Sequence, residues 1–359
     1  KVARMICDIY NADGTVSDFY PRTILKEIVQ SAKDKGYTFY VDPECEFFLF
    51  ETDDNGVPTT VTHEMAGYME VGPVDAGENV RRDIVLMLEE MGFEMESSHH
   101  ETAPAQHEID FREGEALQIA DSVITFKSAV RSIAKKFGLH ATFMPKPKSG
   151  VNGSGMHVNM SLSKDGKNVF FDENDKNGLS EIAYQFIAGI MEHIKAITAI
   201  ANPIVNSYKR LIPGYEAPVH IVWSATNRSP LIRIPTAKGD ATRVELRSPD
   251  PAANPYLVIA VCLAAGLDGI RRGLTPPESV NCNVFEMSEA MMDEMNIERL
   301  PVDLYSAIEE LKKDEEFVDY VKENKAPNKY TVKVEVSENV GVVEHGKTYE
   351  VSIFNTRVK

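Results

Sequence analysis

The sequence predicts a mixed fold of α-helices and β-strands. Segments with helical periodicity alternate with shorter segments rich in β-branched and aromatic residues. Turn-forming dipeptides and glycines separate the two kinds of segment, and the chain contains no internal repeat or low-complexity tract. With 359 residues, of which 43% are hydrophobic, the chain can build one large domain or two smaller ones.

The predicted elements follow in a clear order. Residues 2–10 and 38–51 have the composition of strands, and a helix between them begins near Pro21 and ends before Gly36. Further helices are predicted over 115–137, 180–201 and 254–271, and further strands over 156–162, 168–171, 219–225, 231–235 and 242–248. Tight turns are predicted at Asp13-Gly14, Asn55-Gly56 and Asp165-Gly166.

Charge and composition exclude several classes of protein. The 38 Lys+Arg against 55 Asp+Glu give a net charge of −17 without any basic run, which argues against binding to nucleic acid or to a membrane surface. The longest apolar run, 255–267, is shorter than the roughly 20 residues of a membrane-spanning helix. No signal-like segment is present, and the 4 scattered cysteines indicate reduced, mostly buried thiols of a cytoplasmic protein.

Two pairs of acidic residues are the first candidates for a functional site. Glu44 and Glu46 are two residues apart in a predicted strand, so their carboxylates lie on one face. A solvated strand face would give the same pattern. Glu101 and Glu108 bracket a short segment between two helical regions and are uninformative on their own.

A glycine-containing loop, NGSGMHVN from Asn152 to Asn159, leads into the strand predicted at 156–162. Its glycines permit a ligand to approach the backbone closely, and His157 and Asn159 would point inward. The loop by itself is weak evidence for phosphate binding. A single histidine is more often a hydrogen-bonded core residue than a metal ligand.

The strand predicted at 242–248 alternates charged and apolar residues. Arg243, Glu245 and Arg247 share one face, whereas Val244 and Leu246 occupy the other. Guanidinium groups beside a metal-binding carboxylate suit phosphoryl transfer, although an ordinary ladder of ion pairs is the alternative. Three further arginines precede this strand: Arg210, Arg228 and Arg233. Carboxylates with a histidine favour Mg²⁺ or Mn²⁺, and the cysteines form no cluster for zinc.

Several segments stand in a distinctive order: PECEFFLF, HHETAPAQHEIDF, TFMPKP, NGSGMHVNMS, KRLIPGYEAPV, NRSPLIRIP and RVELRSPDPAANPYL. From about Cys7 to about Tyr320 the chain thereby resembles the catalytic domain of type I glutamine synthetase, in its Gram-positive and archaeal form. The resemblance implies an α+β fold in which helices pack on a curved antiparallel sheet, as in guanido kinases. It also implies a subunit that assembles into rings.

The resemblance implies synthesis of glutamine from glutamate, ammonium and ATP through γ-glutamyl phosphate, by a cytoplasmic dodecamer that uses two or more Mg²⁺ or Mn²⁺ ions per site. The implied metal ligands are Glu46, Glu101 and Glu108 nearer glutamate, and Glu44, His157 and Glu245 nearer the ATP phosphates. The implied glutamate-binding residues are Asn152, Gly153, Arg210 and Arg247. The implied ATP-binding residues are Ser161, Arg228, Arg233 and Arg243. The implied catalytic residues are Glu216, in a loop that matches the family's mobile flap, Arg228 and Arg247.

The chain differs from the family in three places. We expect the N-terminal β-grasp-like domain, which lends an aspartate to a neighbouring active site, to be absent, because the sequence starts at Lys1 just before the matched region. We assign 1–320 to the catalytic domain and expect 321–359 to form a β-hairpin, because 331–336 and 348–354 alternate like strands. Phe285 stands where enteric members carry an adenylylated tyrosine, so we expect no adenylylation there.

Two other functions share much of this pattern. A γ-glutamyl-polyamine ligase, or another amine ligase of the same superfamily, would keep the ATP, metal and glutamate residues and differ around the ammonium pocket. A non-catalytic regulatory homologue would be expected to have lost metal ligands, yet all those implied are present in the sequence. The expected partners are glutamate, ammonium, ATP and further copies of the chain, and neither nucleic acid nor membrane.

Overall fold

The computed structural model describes residues 4–17, 19–226, 230–282, 284 and 287–323. Some predictions of the sequence analysis lie outside the described residues: Arg228, Phe285 and the strands expected at 331–336 and 348–354.

Helices and strands alternate along the described chain. The helices are α1 (Pro21–Asp34), α2 (Glu78–Glu90), α3 (Ala116–Lys136), α4 (Glu181–Ala201), α5 (Ser207–Arg210), α6 (Pro255–Arg272), α7 (Glu289–Glu294), α8 (Leu304–Lys313) and α9 (Glu315–Glu323). The strands are β1 (Thr38–Cys45), β2 (Phe47–Thr52), β3 (Pro58–Thr62), β4 (Met95–His100), β5 (Gln106–Phe111), β6 (Gly114–Glu115), β7 (Leu139–Thr142), β8 (Met156–Lys164), β9 (Lys167–Asn168), β10 (Trp223–Ser224), β11 (Ile232–Arg233) and β12 (Val244–Leu246). Within the described residues, the length and polarity of the helices rule out a membrane-spanning helix.

The strands form two sheets. The larger has the order β10-β11-β12-β8-β1-β6, with β9 paired to β8, and the smaller has the order β3-β2-β5-β4, with β7 paired to β2. Neighbouring strands are antiparallel except for β10 and β11, which are parallel. The predicted α+β fold with antiparallel pairing is therefore confirmed.

The long predicted helices are confirmed to within one or two residues, and their ends have the expected caps. The side chain of Ser180 accepts a hydrogen bond from the Ala183 backbone at the start of α4. Asn254 caps α6 in the same way, and Gly273 ends α6 in the left-handed conformation at φ 64°.

Predictions of strands are less accurate. The prediction for 2–10 is wrong over its described part, because residues 4–9 form no strand. Tyr10 makes only an isolated bridge with Val16, across the turn at Asp13-Gly14, so the segment has no long partner strand beside it. The strand predicted at 38–51 is interrupted at Glu46, whose backbone N–H donates to the carbonyl of Gly155. The strands predicted at 219–225, 231–235 and 242–248 are present but shorter, and the one predicted at 168–171 is displaced to Lys167–Asn168.

The cysteines are free thiols, as expected, but only Cys45 and Cys262 are buried. Cys7 is half-buried and Cys282 is exposed, so the prediction of mostly buried thiols holds only for Cys45 and Cys262.

The centre of the core is the contact between α4 and α6, which are both rich in buried apolar residues. A Cβ atom on Gly189 would lie 2.1 Å from the Ala265 carbonyl oxygen, and one on Gly269 would lie 2.1 Å from the Gln185 carbonyl oxygen. The two helix backbones therefore approach more closely than any side chain at these positions would permit.

We predict that Gly189→Ala lowers the free energy of unfolding by about 1–3 kcal/mol or more, although alanine is the better helix former, because the added methyl collides with backbone that cannot move aside. Chemical denaturation would measure the change. Gly67→Ala is the matched control, since a Cβ there meets only Glu70 Oε2 at 3.8 Å. Equal stability of the two variants would contradict the prediction.

Candidate active site

Strand β8 brings the first group of candidate residues together. Its register pairs Glu44 of β1 with His157 and Glu245 of β12 with Asn159. The alternation of side chains then puts Glu44, His157 and Glu245 on one face, with one ligand atom of each within 4.8 Å of the others. His157 Nδ1 lies 3.2 Å from Glu44 Oε2 and 3.5 Å from Glu245 Oε1. The three residues expected nearer the ATP phosphates therefore meet at one point.

A second acidic group lies where β1 gives way to β2. Glu46 occupies the break between these strands, Glu108 lies in β5, and Glu101 follows the end of β4. Glu101 and Glu108 form a second cluster of potential metal ligands, in which the third member is His99. Glu46 lies beside them and lines the same cavity as Glu101.

His99 is a site residue that the sequence analysis missed. It pairs with Glu108 across β4 and β5, and its Nε2 lies 2.9 Å from Glu101 Oε1. The ring of Tyr68 stands edge-on to His99 with 5.9 Å between centroids. The period of two that links Glu44 with Glu46 also links His99 with Glu101. The sequence analysis places this segment between helical regions, so it does not find β4.

Burial and mutual repulsion perturb the carboxyl groups of the site. Burial and then neighbouring Glu101 raise the pKa of Glu46 to about 8, and burial and then Asp110 raise the pKa of Glu108 well above its usual value. For Glu44, burial acts in the same direction, but hydrogen bonds from His157 and from Asn159 prevail and lower its pKa to about 2. Burial therefore opposes ionisation of Glu46 and Glu108, whereas the protein's own donors stabilise the charge of Glu44.

Arginines surround Glu245, which is completely buried. Arg233 lies opposite Glu245 in the pairing of β11 with β12, and its Nε donates to Glu245 Oε2. Arg247 Nε lies 3.3 Å from Glu245 Oε1, whereas Arg243 Nε donates to Asn159 Oδ1 at 3.2 Å. Val244 and Leu246 are buried on the opposite face, so the predicted two-faced strand is confirmed.

Arg210 is buried and uses its terminal nitrogens on the backbone. Its Nη1 donates to the carbonyl of Ser248 at 2.7 Å, and its Nη2 donates to the carbonyl of Arg247 at 3.1 Å. Arg210 therefore fixes the chain that follows β12 while its guanidinium borders the site.

The two groups meet at a cavity of about 20 Å³, which has room for about one water molecule. Its wall contains these predicted residues: Glu46, Glu101, Asn152, Gly153, His157, Arg210, Glu216 and Arg247. The other described candidates lie outside this wall: Glu44, Glu108, Ser161, Arg233, Arg243 and Glu245. Ser161 is buried on β8, two residues beyond Asn159. A larger cavity of about 710 Å³, beside Tyr184 and Trp223, contains none of the candidates.

Gln106 is a second residue that the sequence analysis missed. It is buried, and its Nε2 donates to Glu46 Oε2 at 2.8 Å and to the Gly153 carbonyl at 3.1 Å. It thereby joins an acidic residue to the glycine loop. Nothing in the sequence distinguishes this glutamine from a surface one.

Behind the acidic groups lies a layer of hydrogen-bonded side chains. Glu64 Oε1 lies 2.8 Å from His100 Nε2, and Glu64 also accepts the backbone N–H of Ala105, which has φ 60°. Arg81 donates to Asp75 and, at 2.9 Å, to His107 Nδ1. This layer holds the segment between β4 and β5 in a conformation that non-glycine residues rarely adopt.

Comparisons with known proteins agree with the resemblance seen in the sequence. The profile of the family described as "Glutamine synthetase, catalytic domain" matches residues 18–342. A protein named glutamine synthetase from Clostridium saccharobutylicum is 60% identical over 315 residues, which cover 88% of this chain and 71% of that protein. One of the same name from Staphylococcus aureus strain MW2 is 54% identical over 316 residues, with 88% and 71% covered.

Solved structures agree as well. A GmaS/ADP complex in its conformation 1 superimposes with a TM-score of 0.79 at 33% identity, over 88% of this chain and 72% of that one. Apo GmaS without ligand superimposes with a TM-score of 0.77 at 33% identity, over 86% and 71%. The match to the family profile and the identity to its named members together show that this chain belongs to the glutamine synthetase family.

Proposed function

We propose that this chain catalyses ATP-dependent ligation of ammonium to L-glutamate, giving L-glutamine, ADP and phosphate through γ-glutamyl phosphate. The observation that carries the proposal is a small cavity whose wall combines acidic Glu46, Glu101 and Glu216 with cationic Arg210 and Arg247. Such a wall suits both a metal and an anionic substrate. Relatives that are 54% and 60% identical bear the name glutamine synthetase.

The acidic residues fit divalent cations. Glu245 Oε1 is buried and accepts no hydrogen bond from the described residues, and burial followed by the charge of Glu101 raises the pKa of Glu46. We infer that Glu44, His157 and Glu245 hold one Mg²⁺ or Mn²⁺ ion. A second would be held by Glu46, Glu101 and Glu108, with His99 in the same group. When bound, these ions neutralise charge on the transferring phosphoryl group.

The arginines on the first group suit the nucleotide. Arg233 uses Nε on Glu245, which orients its planar guanidinium and leaves other donors for phosphate oxygens. Arg243 is oriented by Asn159 in the same way. Ser161, further along β8, and Arg228, outside the described residues, complete the proposed ATP site.

Glutamate would bind at the cavity, against the backbone of Asn152 and Gly153 and the guanidinium of Arg247. Arg210 supports this wall through the backbone carbonyls that it binds. The γ-carboxylate attacks the terminal phosphorus of ATP and ADP leaves; ammonia then attacks the acyl carbon and phosphate leaves. Glu216 accepts a proton from ammonium, and the closed wall keeps water from the acyl phosphate.

The two alternative functions have less support than glutamine synthesis. The proteins named glutamine synthetase are 54% and 60% identical to this chain, whereas the two GmaS structures are 33% identical, so the sequence comparisons favour glutamine synthesis over another ligation. A non-catalytic homologue is less well supported, because Glu44, His157 and Glu245 lie close together, and so do Glu101, Glu108 and His99.

A ring-shaped homo-oligomer, a cytoplasmic location and the boundary at residue 320 form part of the same proposal. The dodecamer implied by the resemblance to the family supports the ring-shaped homo-oligomer. Cys45 and Cys262, which are buried and unpaired, support a reducing compartment.

We predict that Glu245→Gln lowers ammonium-dependent release of phosphate from ATP and glutamate by about 10²-fold or more, because the amide removes a buried charge that faces the transferring group. Phosphate and glutamine would be measured with Mg²⁺ or Mn²⁺ and with ammonium, hydroxylamine or putrescine as acceptor. Glu90→Gln, at an exposed position of α2, is the matched control.

Turnover with putrescine but not with ammonium would contradict glutamine synthesis and favour an amine ligase. No turnover with any acceptor, together with intact ATP binding, would favour the non-catalytic homologue.

We also predict that stabilisation by a divalent cation increases with pH. Glu46 has a pKa of about 8 in the folded chain against an ordinary 4.5, so the metal-free fold loses stability as pH rises between these values. A metal ion replaces the proton and removes this loss. Melting temperatures with EDTA and with Mg²⁺, at about pH 5.5 and about pH 8, would show the larger metal-induced rise at the higher pH.

The matched variant for this measurement is Glu46→Gln, which cannot ionise and should reduce the difference between the two pH values. An equal rise in melting temperature at both pH values in the unmodified chain would contradict the prediction.

A further inference from the structure

We propose that Lys146 is a positioning residue that holds the loop of residues 212–217 closed over the cavity by contacting the ring of Tyr215. The inference deepens the proposed function and rests on it, because Glu216 is the next residue of this loop. Lys146 is only 7% exposed, and within the described residues it forms no ion pair. A buried ammonium group without a carboxylate partner requires another source of stabilisation.

The contacts of the ammonium group supply that stabilisation. Lys146 Nζ lies 3.7 Å from the centroid of the Tyr215 ring, which is well inside the range of a cation–π interaction. The same nitrogen donates a hydrogen bond to the carbonyl of Val151, next to the glycine loop. One side chain thus connects two loops of the site, the one that contains Asn152 and Gly153 and the one that contains Glu216.

The backbone of Lys146 is fixed independently of these contacts. The side chain of Asn206 accepts from its N–H at 2.7 Å and donates to its carbonyl oxygen at 3.0 Å. The preceding carbonyl, of Pro145, accepts the N–H of Ser154 at 2.8 Å. Lys146 is therefore a rigid attachment point, and only the far end of its side chain reaches the loop.

The loop itself depends on few anchors. Residues 212–214 and Glu216 are exposed, Tyr215 is half-buried, and Ala217 is buried against Tyr208 and Leu211. Glu216 has φ 62°, a conformation that costs free energy for a residue with a side chain. The tip of the loop is therefore held in place through Tyr215, and the contact with Lys146 determines whether Glu216 stays at the cavity.

The position of the Glu216 loop over the cavity affects the fate of the acyl phosphate. When the loop opens, water can attack γ-glutamyl phosphate; the acyl phosphate is then hydrolysed to glutamate and phosphate, and one ATP is consumed without glutamine. A weakened contact with Tyr215 would therefore uncouple phosphate release from ligation. A residue that only supported the fold would lower both in proportion.

The test compares Lys146→Gln, which removes the cation but keeps a polar side chain, with Lys146→Arg, which keeps the cation–π interaction. We expect the glutamine variant to raise the ratio of phosphate released to glutamine formed by about twofold or more, and the arginine variant to restore a ratio near one. Lys148→Gln, at a half-buried lysine of the same loop, is the matched control.

A second readout does not require turnover. Amide hydrogen exchange of residues 212–217, measured by mass spectrometry, should become about tenfold faster in Lys146→Gln and not in Lys148→Gln. If the unmodified chain makes no glutamine, the proposed function fails while this readout still tests the contact. Unchanged exchange in Lys146→Gln would overturn the inference.

The partner residue supplies an independent check. Tyr215→Phe keeps the aromatic face and should retain the coupling ratio, whereas Tyr215→Leu should reproduce the effect of Lys146→Gln. The double variant Lys146→Gln/Tyr215→Leu should uncouple no more than either single variant. Additive effects in this cycle would overturn the direct contact as the cause.

Discussion

The burial of several carboxyl groups close together is the constraint on which the rest of this structure depends. Burial is the largest cause of the raised pKa values of Glu46 and Glu108; the charge of Glu101 adds to it at Glu46, and the charges of Asp110 and Glu46 add to it at Glu108. Glu245, by contrast, is bonded by Arg233, and Glu44 is bonded by Asn159. The protein's own donors therefore stabilise the charges of Glu44 and Glu245, whereas burial opposes ionisation of Glu46 and Glu108. Carboxyl groups with such perturbed pKa values cluster at functional sites, and here the rest of the fold holds them in place.

The fold maintains this arrangement through β8, whose two faces serve different purposes. Its site face carries His157, Asn159 and Ser161. Its other face buries alternate apolar side chains in the main core: Met156, Val158, Met160 and Leu162. Burial of each contributes about 1.5–3 kcal/mol, and a slip of one residue in register would move all four out of the main core and put the polar set there. The hydrophobic core therefore determines which residues face the proposed metal sites.

Strand periodicity explains how much of the site could be predicted from sequence. A period of two places Arg243, Glu245 and Arg247 together, and the structure has them so. Periodicity does not indicate which strands are neighbours. The pairing of β8 with β1 and β12 therefore could not be predicted from periodicity and is known from the structure. Other features of the site and the fold depend on contacts between residues that the sequence pattern does not connect. Gln106 acts through Glu46 and Gly153, which are far from it in sequence, and the described part of the predicted strand at 2–10 pairs only through the bridge of Tyr10 with Val16.

The lining of the central cavity divides into a part held by the sheet and a part on an exposed loop. It includes His157 of β8 and Glu46, at the break between β1 and β2, together with residues 215–217 of the loop. His157 cannot move away without breaking the pairing of β8 with β1. The loop around Glu216 can move, since its tip is exposed, Glu216 has a strained backbone, and the ring of Tyr215 contacts the side chain of Lys146. The residues that bind charge are therefore rigid, and the residue proposed to move a proton is placed on the part that opens.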